Sequence, residues 1–293
     1  TETSEIQTVE MKDAHNEIFI SKTAISGSEE IAGATLQVIS VDANGEETIY
    51  KEWTTDGTGV TAIAAIPAGE YILRELTAPN GYIVAEEIAF TVNEDGTVTS
   101  AASSDGKTVV MKDDVTKLTI SKKDITDGEE LEGAVLTIKN ELGETVATWT
   151  STKTPKYIEK LPVGKYTLTE ETAPEGYVKA ETISFEIKAT GEMQTVEMVD
   201  NVTKVRISKT DITGTKELEG ARLQVIIPGT TETVYEEWTS TNTPHMIEKL
   251  PVGEYILRET TAPNGYLVAE DVKFTVTETS EIQTVEMKDA HNE

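Results

Sequence analysis

The sequence predicts an all-β protein made of three small domains in tandem, and three observations support this prediction. The same series of motifs occurs three times in 293 residues, in repeats of about 90 residues, a length typical of small domains. Within each repeat, apolar residues alternate with polar ones, which is the side-chain period of a β-strand. Glycine, proline, asparagine and aspartate stand between these runs, as between short antiparallel strands, and we count about seven strands per repeat.

Two repeated segments define the domain boundaries. They are EIAGATLQV, ELEGAVLTI and ELEGARLQV near the start of each repeat, and TAPNGY, TAPEGY and TAPNGY in its second half. We expect domain 1 to span residues 18–114, domain 2 residues 115–201 and domain 3 residues 202–293. No glycine, serine or proline tract separates them, so we expect the domains to follow one another stiffly.

In each repeat, three strand patterns end their apolar face on a charged residue. In domain 1 these faces carry Ile18, Ile20 and Lys22 in the first strand, Tyr71, Leu73 and Glu75 in a middle strand, and Val109, Met111 and Asp113 in the last strand. The charged residues at the matching positions of the other domains are Lys122, Glu170 and Asp200 in domain 2, and Lys209, Glu259 and Asp289 in domain 3. Each domain is therefore expected to bury one lysine and two carboxyl groups.

This combination of residue types permits a specific reaction. Burial favours the neutral amine and the neutral acid, because desolvation penalises charge. A neutral lysine is a nucleophile, a protonated aspartic acid can lose water to it, and a glutamate between them can carry protons. Held in contact, the two groups gain the effective concentration of an intramolecular reaction. The product is an isopeptide crosslink.

The alternative interpretation is a buried, hydrogen-bonded salt bridge with an additional carboxylate. An ion pair needs only one acid, whereas every repeat keeps two. The threefold recurrence of all three residue types therefore favours the crosslink.

Composition excludes several partners and classes. The net charge is −28, from 25 basic and 53 acidic residues, which repels nucleic acid and anionic membrane surfaces. Cysteine is absent, so no disulfide can staple these domains. No apolar run approaches about 18 residues, and the N-terminus lacks a basic region followed by an apolar one. We expect neither a membrane span nor a signal peptide, and an exported protein would make this chain an excised piece.

Other chemistry has weaker support in the sequence. No catalytic serine or cysteine constellation and no phosphate-binding loop can be assembled, so we expect no turnover enzyme and no cofactor. The three histidines, His15, His245 and His291, lack metal-ligand spacing, and we expect no metal. The tryptophans are a conceivable sugar platform, but core or sheet-face packing is the better interpretation for Trp53, Trp149 and Trp238.

The motifs resemble those of the Cna protein B-type (SpaA-like) domains of Gram-positive surface adhesins and pilins. The resemblance rests on SKT, SKKD and SKTD at the first-strand lysine, the TAP-x-GY stretch after the glutamate, and the terminal V-x-M-x-D. It covers essentially the whole chain, in order, three times. It implies an immunoglobulin-like β-sandwich in each domain, with a spontaneous isopeptide bond between the first and last strands and a glutamate as catalyst.

The resemblance implies which residues react. The expected bonds and catalysts are Lys22 to Asp113 with Glu75, Lys122 to Asp200 with Glu170, and Lys209 to Asp289 with Glu259. Domain 1 departs from the pattern in two ways. It has Ala24 where the other domains have Asp124 and Asp211, and it has eight more residues between its GY motif and its aspartate.

The resulting hypothesis is a structural stalk or fibre region of an extracellular, cell-surface protein, anchored to the cell wall through a region outside this chain. Its expected partners are neighbouring repeats of the same protein, with a host or surface ligand bound by regions outside this fragment. The alternatives are a ligand-binding adhesin region, which would carry an exposed patch in one domain only, and a pilin subunit.

The duplicated ends lead to a further expectation. Residues 1–17 are identical to residues 277–293, an offset of 276, which we interpret as the last strand of a preceding unit in a longer array. We expect Asp13 to stay unbonded in most molecules, with its segment packed as an added edge strand or against domain 1 or a neighbouring chain. The alternative is strand exchange, in which Asp13 of one molecule joins Lys209 of the next.

Overall fold

The computed structural model describes residues 15–292, and every regular element in this range is a β-strand. The segment that carries Asp13 therefore lies outside the described residues. No helix long and apolar enough to cross a membrane is found between residues 15 and 292. The chain divides into two compact units. The first holds the described residues up to Leu118 with Ile158–Val163 and Ile187–Gln194, and the second holds Thr119–Tyr157, Gly164–Glu186 and the described residues from Thr195 onward.

Domain 1 contains nine strands, of which two are only two residues long. They are β1 (Glu17–Ala24), β2 (Ala32–Val41), β3 (Glu47–Asp56), β4 (Thr61–Ala64), β5 (Gly69–Thr77), β6 (Tyr82–Ile83), β7 (Ile88–Val92), β8 (Val98–Thr99) and β9 (Thr108–Val115).

Domains 2 and 3 contain eight and seven strands. Those of domain 2 are β10 (Lys117–Asp124), β11 (Val135–Asn140), β12 (Thr145–Thr150), β13 (Lys156–Glu159), β14 (Gly164–Thr172), β15 (Tyr177–Val178), β16 (Ile183–Ile187) and β17 (Met193–Val202). Those of domain 3 are β18 (Lys204–Asp211), β19 (Arg222–Ile227), β20 (Thr233–Thr239), β21 (His245–Glu248), β22 (Gly253–Thr261), β23 (Val272–Val276) and β24 (Ile282–Asp289). The seven strands expected per repeat recur in each domain, and the additional ones are short.

Each domain has two sheets, which confirms the predicted tandem β-sandwiches. One sheet contains the first and last strands as neighbours, in the orders β4-β1-β9-β6, β13-β10-β17-β15 and β21-β18-β24. The other contains the middle strand that carries the glutamate, in the orders β3-β2-β5-β7-β8, β12-β11-β14-β16 and β20-β19-β22-β23. The lysine and aspartate therefore share one sheet, and the glutamate belongs to the other.

The cores form where the apolar faces of the two sheets meet, as the period-two pattern predicts. In domain 1 the core includes Ile18 and Ile20 of β1, Leu73 of β5 and Met111 of β9, all nearly inaccessible to solvent. The two-residue alternation that buries these side chains also turns the charged residues at the strand ends inward.

Candidate functional site

The pairing of the first and last strands brings each lysine to its aspartate. In domain 1, β1 and β9 run parallel, with Lys22 opposite Met111 and Ala24 opposite Asp113. Side chains two residues apart point to the same face, so Lys22 and Asp113 converge diagonally on the core. The Lys22 ammonium donates a buried hydrogen bond to Asp113 Oδ1.

The same arrangement occurs in the other two domains. In domain 3, β18 and β24 are parallel, with Lys209 opposite Met287, and Lys209 Nζ donates to Asp289 Oδ1. In domain 2, β10 and β17 are neighbours, and Lys122 Nζ donates to Asp200 Oδ1. These contacts join residues 91, 78 and 80 positions apart in domains 1, 2 and 3.

The glutamate reaches the lysine from the facing sheet. Glu75 lies on β5 opposite Leu36 of β2, and its carboxylate lies 3.2 Å from Lys22 Nζ. The corresponding distances from Lys122 to Glu170 and from Lys209 to Glu259 are also 3.2 Å. A backbone N–H fixes each glutamate, because the amides of Ala85, Ala180 and Ala269 each donate a 2.7 Å hydrogen bond to its Oε2.

These three clusters, which we call the triads, are shielded from water. None of their nine residues is more than 4% exposed. In every triad, one glutamate oxygen and Asp Oδ2 have no hydrogen-bond partner among the described residues. Unpaired buried acceptors are costly, and a lysine with two carboxylates would leave a net buried negative charge. A proton shared between the two carboxyl groups would remove both costs.

The electrostatics of the triads favour such a proton. Burial raises the pKa of Asp113 and of Asp200 from 3.8 to about 7, although the adjacent lysine opposes the shift. In domain 3, burial raises the pKa of Glu259 instead. Two carboxyl groups that share one site titrate as a pair. The triads of domains 1 and 2 therefore retain a proton well above the pH at which a solvated carboxyl group loses it, and in domain 3 the raised pKa of Glu259 acts in the same direction.

A third carboxylate near each lysine, which accepts a hydrogen bond from the lysine's backbone N–H, was missed by the sequence reasoning. Glu30 accepts hydrogen bonds from the Lys22 backbone N–H at 2.7 Å and from the Ser21 hydroxyl at 2.5 Å, which buries Ser21 on the face predicted to be polar. Glu130 and Glu217 hold the Lys122 and Lys209 amides in the same way, at 3.2 and 2.9 Å. The available signal was the glutamate that opens each repeated segment eight residues after the lysine.

The structure brings together all nine residues expected to react or catalyse, as three separate triads. It also confirms the packing role of two tryptophans, since Trp53 and Trp238 lie partly buried against the cores of domains 1 and 3. One detail differs. Val196 is only half-buried whereas Val109 is fully buried, so the apolar face of the last strand is less complete in domain 2.

Known proteins provide an independent comparison. The sequence profile of the family described as "SpaA: Prealbumin-like fold domain" matches residues 16–107, 116–202 and 203–291. No curated protein matches the chain in sequence.

Several solved structures are similar over nearly the whole chain. The Bacillus anthracis TIE protein is 27% identical over 95% of this chain, with a TM-score of 0.48, and the chain spans about half of it, 51%. A streptococcal ancillary pilin is 17% identical, with a TM-score of 0.39 and coverage of 95% of this chain and 99% of its own. BcpA, the major pilin subunit of Bacillus cereus, is 16% identical, with a TM-score of 0.36 and coverage of 95% and 100%. On the strength of the three profile matches, the chain belongs to the SpaA prealbumin-like fold domain family, of which it carries three tandem copies.

Proposed function

We propose that this chain is a stalk region of a Gram-positive cell-surface protein, in which each domain is stapled by an autocatalytic Lys–Asp isopeptide bond. One observation carries the proposal. In all three domains a lysine contacts an aspartate of the neighbouring strand and lies 3.2 Å from a glutamate of the facing sheet, in a site closed to water.

The proposed reaction is a condensation that needs no oxidant and no cofactor. Lys Nζ attacks Cγ of the protonated aspartic acid, the N–Cγ bond forms, and a Cγ–O bond breaks to release one water molecule. The glutamate accepts a proton from the attacking amine and returns it to the departing oxygen, the role of a general acid and base. Contact between amine and acid supplies the effective concentration that such a condensation requires. Each site turns over once.

The position of the bond gives it a mechanical role. The chain enters each domain at the lysine strand and leaves it at the aspartate strand, for example through β1 and β9. A force applied along the chain therefore crosses the domain through the crosslink and leaves the strands between them unloaded. By analogy with a disulfide that closes a loop of similar length, the bond also restricts the unfolded chain by about 4 to 5 kcal/mol.

The proposed setting is the cell surface, with neighbouring repeats of the same protein as the immediate partners. Two of the similar structures are pilins, and one of these is the major pilin subunit of Bacillus cereus. We assign attachment to the cell wall and recognition of a host ligand to regions outside this chain. The aromatic residues favour a scaffold over a receptor, because stacked Tyr–Phe pairs recur in all three domains (Tyr71 on Phe90, Tyr166 on Phe185, Tyr255 on Phe274).

Intact mass spectrometry under denaturing conditions tests the proposal. The full chain is expected to be lighter than its sequence mass by three water molecules, one for each triad. Tandem mass spectrometry should then locate the bonds at Lys22–Asp113, Lys122–Asp200 and Lys209–Asp289. A chain with its full sequence mass would exclude the isopeptide bonds and leave three buried ion pairs.

A further inference from the structure

A single buried threonine connects domain 2 to domain 3. Thr203 lies between β17 and β18 and is inaccessible to solvent. Its backbone N–H donates to Gly176 O at 3.1 Å, its hydroxyl donates to Leu250 O at 2.6 Å, and its carbonyl accepts from Lys249 N at 3.0 Å. We call this arrangement the threonine joint. It ties the end of domain 2 to the turn that precedes β22 of domain 3.

The same joint occurs between domains 1 and 2. Thr116 N donates to Gly81 O at 3.0 Å, Thr116 Oγ1 donates to Leu161 O at 2.6 Å, and Lys160 N donates to Thr116 O at 3.0 Å. Lys160 and Lys249 share an unusual backbone, with φ of 62° in both. The threonine joint is therefore a repeated element of this chain.

The joint between domains 2 and 3 has an additional contact. The Lys249 ammonium donates a 2.5 Å hydrogen bond to Asp124 Oδ2, and the Tyr177 hydroxyl donates to the same oxygen at 2.6 Å. Lys249 Nζ also lies 5.2 Å from the centre of the Tyr177 ring, a cation–π distance. Asp124 is the last residue of β10 and Tyr177 the first of β15, so one lysine of domain 3 contacts two separate strands of domain 2.

The contact is held in its charged form. The Asp124 side chain is only 6% exposed, and burial acts to raise its pKa, but hydrogen bonds from Lys249, Tyr177 and Thr126 together bring that pKa well below its usual value. The hydrogen bond to Asp124 in turn raises the pKa of Lys249. A pair in which both partners are ionised makes a stronger hydrogen bond than a neutral pair.

Domain 1 supplies a natural comparison. Lys160 lies 5.4 Å from the centre of the Tyr82 ring, as Lys249 lies over Tyr177. However, the residue two positions after the first-strand lysine is Ala24 in domain 1 and Asp124 in domain 2. Two of the three groups are therefore present at the earlier joint, and the carboxylate is missing.

We propose that Asp124, Tyr177 and Lys249 form an interdomain lock that holds domain 3 against the end of domain 2. The hydrogen bonds of a threonine joint all converge on one residue, so by themselves they do not oppose bending between the two domains. The lock adds a second attachment, which opposes this bending. The partner of this surface is thus the following domain of the same chain, and Ala24 leaves the preceding joint without a lock.

The distance between domains 2 and 3 provides the first test. The chain has no cysteine, so spin labels can be placed at Leu142→Cys and Thr230→Cys, both on exposed loops, and their distance distribution measured by pulsed electron paramagnetic resonance. We expect Lys249→Ala to broaden the distribution. Alanine is compatible with this backbone, since Ala65 has φ of 57° at the matching position of domain 1. The control is Glu248→Ala, which removes a neighbouring exposed charge and should leave the distribution unchanged.

An unchanged distribution in Lys249→Ala would overturn the lock. Intact mass of each variant shows whether domains 2 and 3 still fold and react, which separates loss of the lock from loss of the fold. A third measurement repeats the wild-type experiment in 1 M salt. Because the Asp124 carboxylate is buried, salt screens its interaction with Lys249 only weakly. We therefore expect salt to broaden the distance distribution less than Lys249→Ala does.

The second test builds the lock where it is absent. Ala24→Asp places a carboxylate at the last residue of β1, the position that Asp124 occupies in β10. If position 24 is equivalent to position 124, the pKa of the new carboxyl group should fall about 1 to 3 pH units below the ordinary aspartate value, as expected beside a lysine. Carbon-13 NMR titration of labelled aspartate measures this pKa. An ordinary value would show that the lysine over the tyrosine ring does not by itself prepare a lock, and would contradict the proposed equivalence.

Discussion

At the scale of single residues, each triad contains one carboxyl group more than a salt bridge needs. The lysine has its aspartate beside it, and the glutamate approaches from the facing sheet, held by a backbone N–H at 2.7 Å. That N–H keeps the glutamate 3.2 Å from the lysine nitrogen, which is a suitable distance for proton transfer. The glutamate is therefore positioned to carry a proton in the proposed reaction.

The first prediction concerns this role in domain 2. Glu170→Ala should leave Lys122 and Asp200 in contact but unjoined, because the proton carrier is gone. Intact mass should then fall short of the sequence mass by two water molecules, and tandem mass spectrometry should find bonds only in domains 1 and 3. The control is Glu171→Ala, which changes the adjacent exposed residue of the same strand and should retain all three bonds. A domain 2 crosslink that forms at the normal rate in Glu170→Ala would make Glu170 a structural acid only.

The second prediction concerns pH, in a chain that cannot react. The triple variant Lys22→Met, Lys122→Met and Lys209→Met leaves the carboxyl groups of the triads buried and removes the cation that lowers the pKa of Asp113, Asp200 and Glu259. A carboxyl group whose pKa rises from 3.8 in the unfolded chain to about 7 or above in the folded one binds its proton more tightly when folded. Its contribution to stability is fully present below pH 3.8 and is lost as the pH rises through the folded value.

We therefore expect this variant to unfold at a lower urea concentration at pH 8 than at pH 5, as measured by circular dichroism. General charge repulsion acts in the same direction, so a control is needed. Adding Asp113→Asn, Asp200→Asn and Glu259→Gln removes the groups whose pKa is raised and should reduce the difference between the two pH values. An equal difference in both variants would assign the effect to the net charge of the chain.

At the scale of secondary structure, the proposed reaction depends on strand register. Asp200 faces the core because it lies two residues after buried Met198, whereas Val199 between them is 40% exposed. Successive side chains of a strand point to opposite faces, so a shift of one residue turns every later side chain to the other face. The proposed crosslink therefore depends on which face of the last strand the aspartate occupies as much as on the residue types.

The third prediction tests this dependence. Inserting one alanine between Val199 and Asp200 should turn the aspartate to the outer face and bring no other carboxyl group inward, because the next residue is Asn201. The mass deficit should fall from three water molecules to two. Val199→Ala changes the same strand without changing its register and should retain all three bonds. A third bond in the insertion variant would mean that the strand absorbs the extra residue in a bulge.

At the scale of the whole molecule, the three bonds would close most of the chain into loops. The lysine and aspartate of a triad are 91, 78 and 80 residues apart in domains 1, 2 and 3. With the bonds in place, a pulling force has only the short segments between the loops to extend. The proposed function therefore predicts a protein that does not lengthen by domain unfolding.

The fourth prediction is a force–extension measurement on the full chain. The wild-type chain should show no unfolding step before detachment. The triple lysine-to-methionine variant, which has no bonds, should show up to three steps, each releasing about 260 to 310 Å of chain at about 3.4 Å per residue. Steps of this length in the wild-type chain would contradict the mechanical role.

The sequence predicted which residues form the triads better than it predicted the groups that support them. Lys22, Glu75 and Asp113 were recognisable because each ends an alternating apolar face, and this pattern recurs in every repeat. Glu30 also recurs in every repeat, but no strand pattern marks it as inward-facing, and its role appears only when the loop before β2 folds back on the Lys22 amide. Recurrence alone does not show the role of a repeated residue. The two-residue period shows which side chains face the core, but only for residues that lie within strands.

By itself, the sequence determined the all-β class, the three copies and the nine buried ionisable residues, because strand period and repetition are local properties that can be read along the chain. Tertiary structure decided which strands become neighbours, that the glutamate approaches from the opposite sheet, and that Lys249 reaches Asp124 across 125 residues. Such contacts depend on how sheets pack and how one domain meets the next. The energy of a buried charge is set by those distant neighbours, and no short segment of sequence contains them.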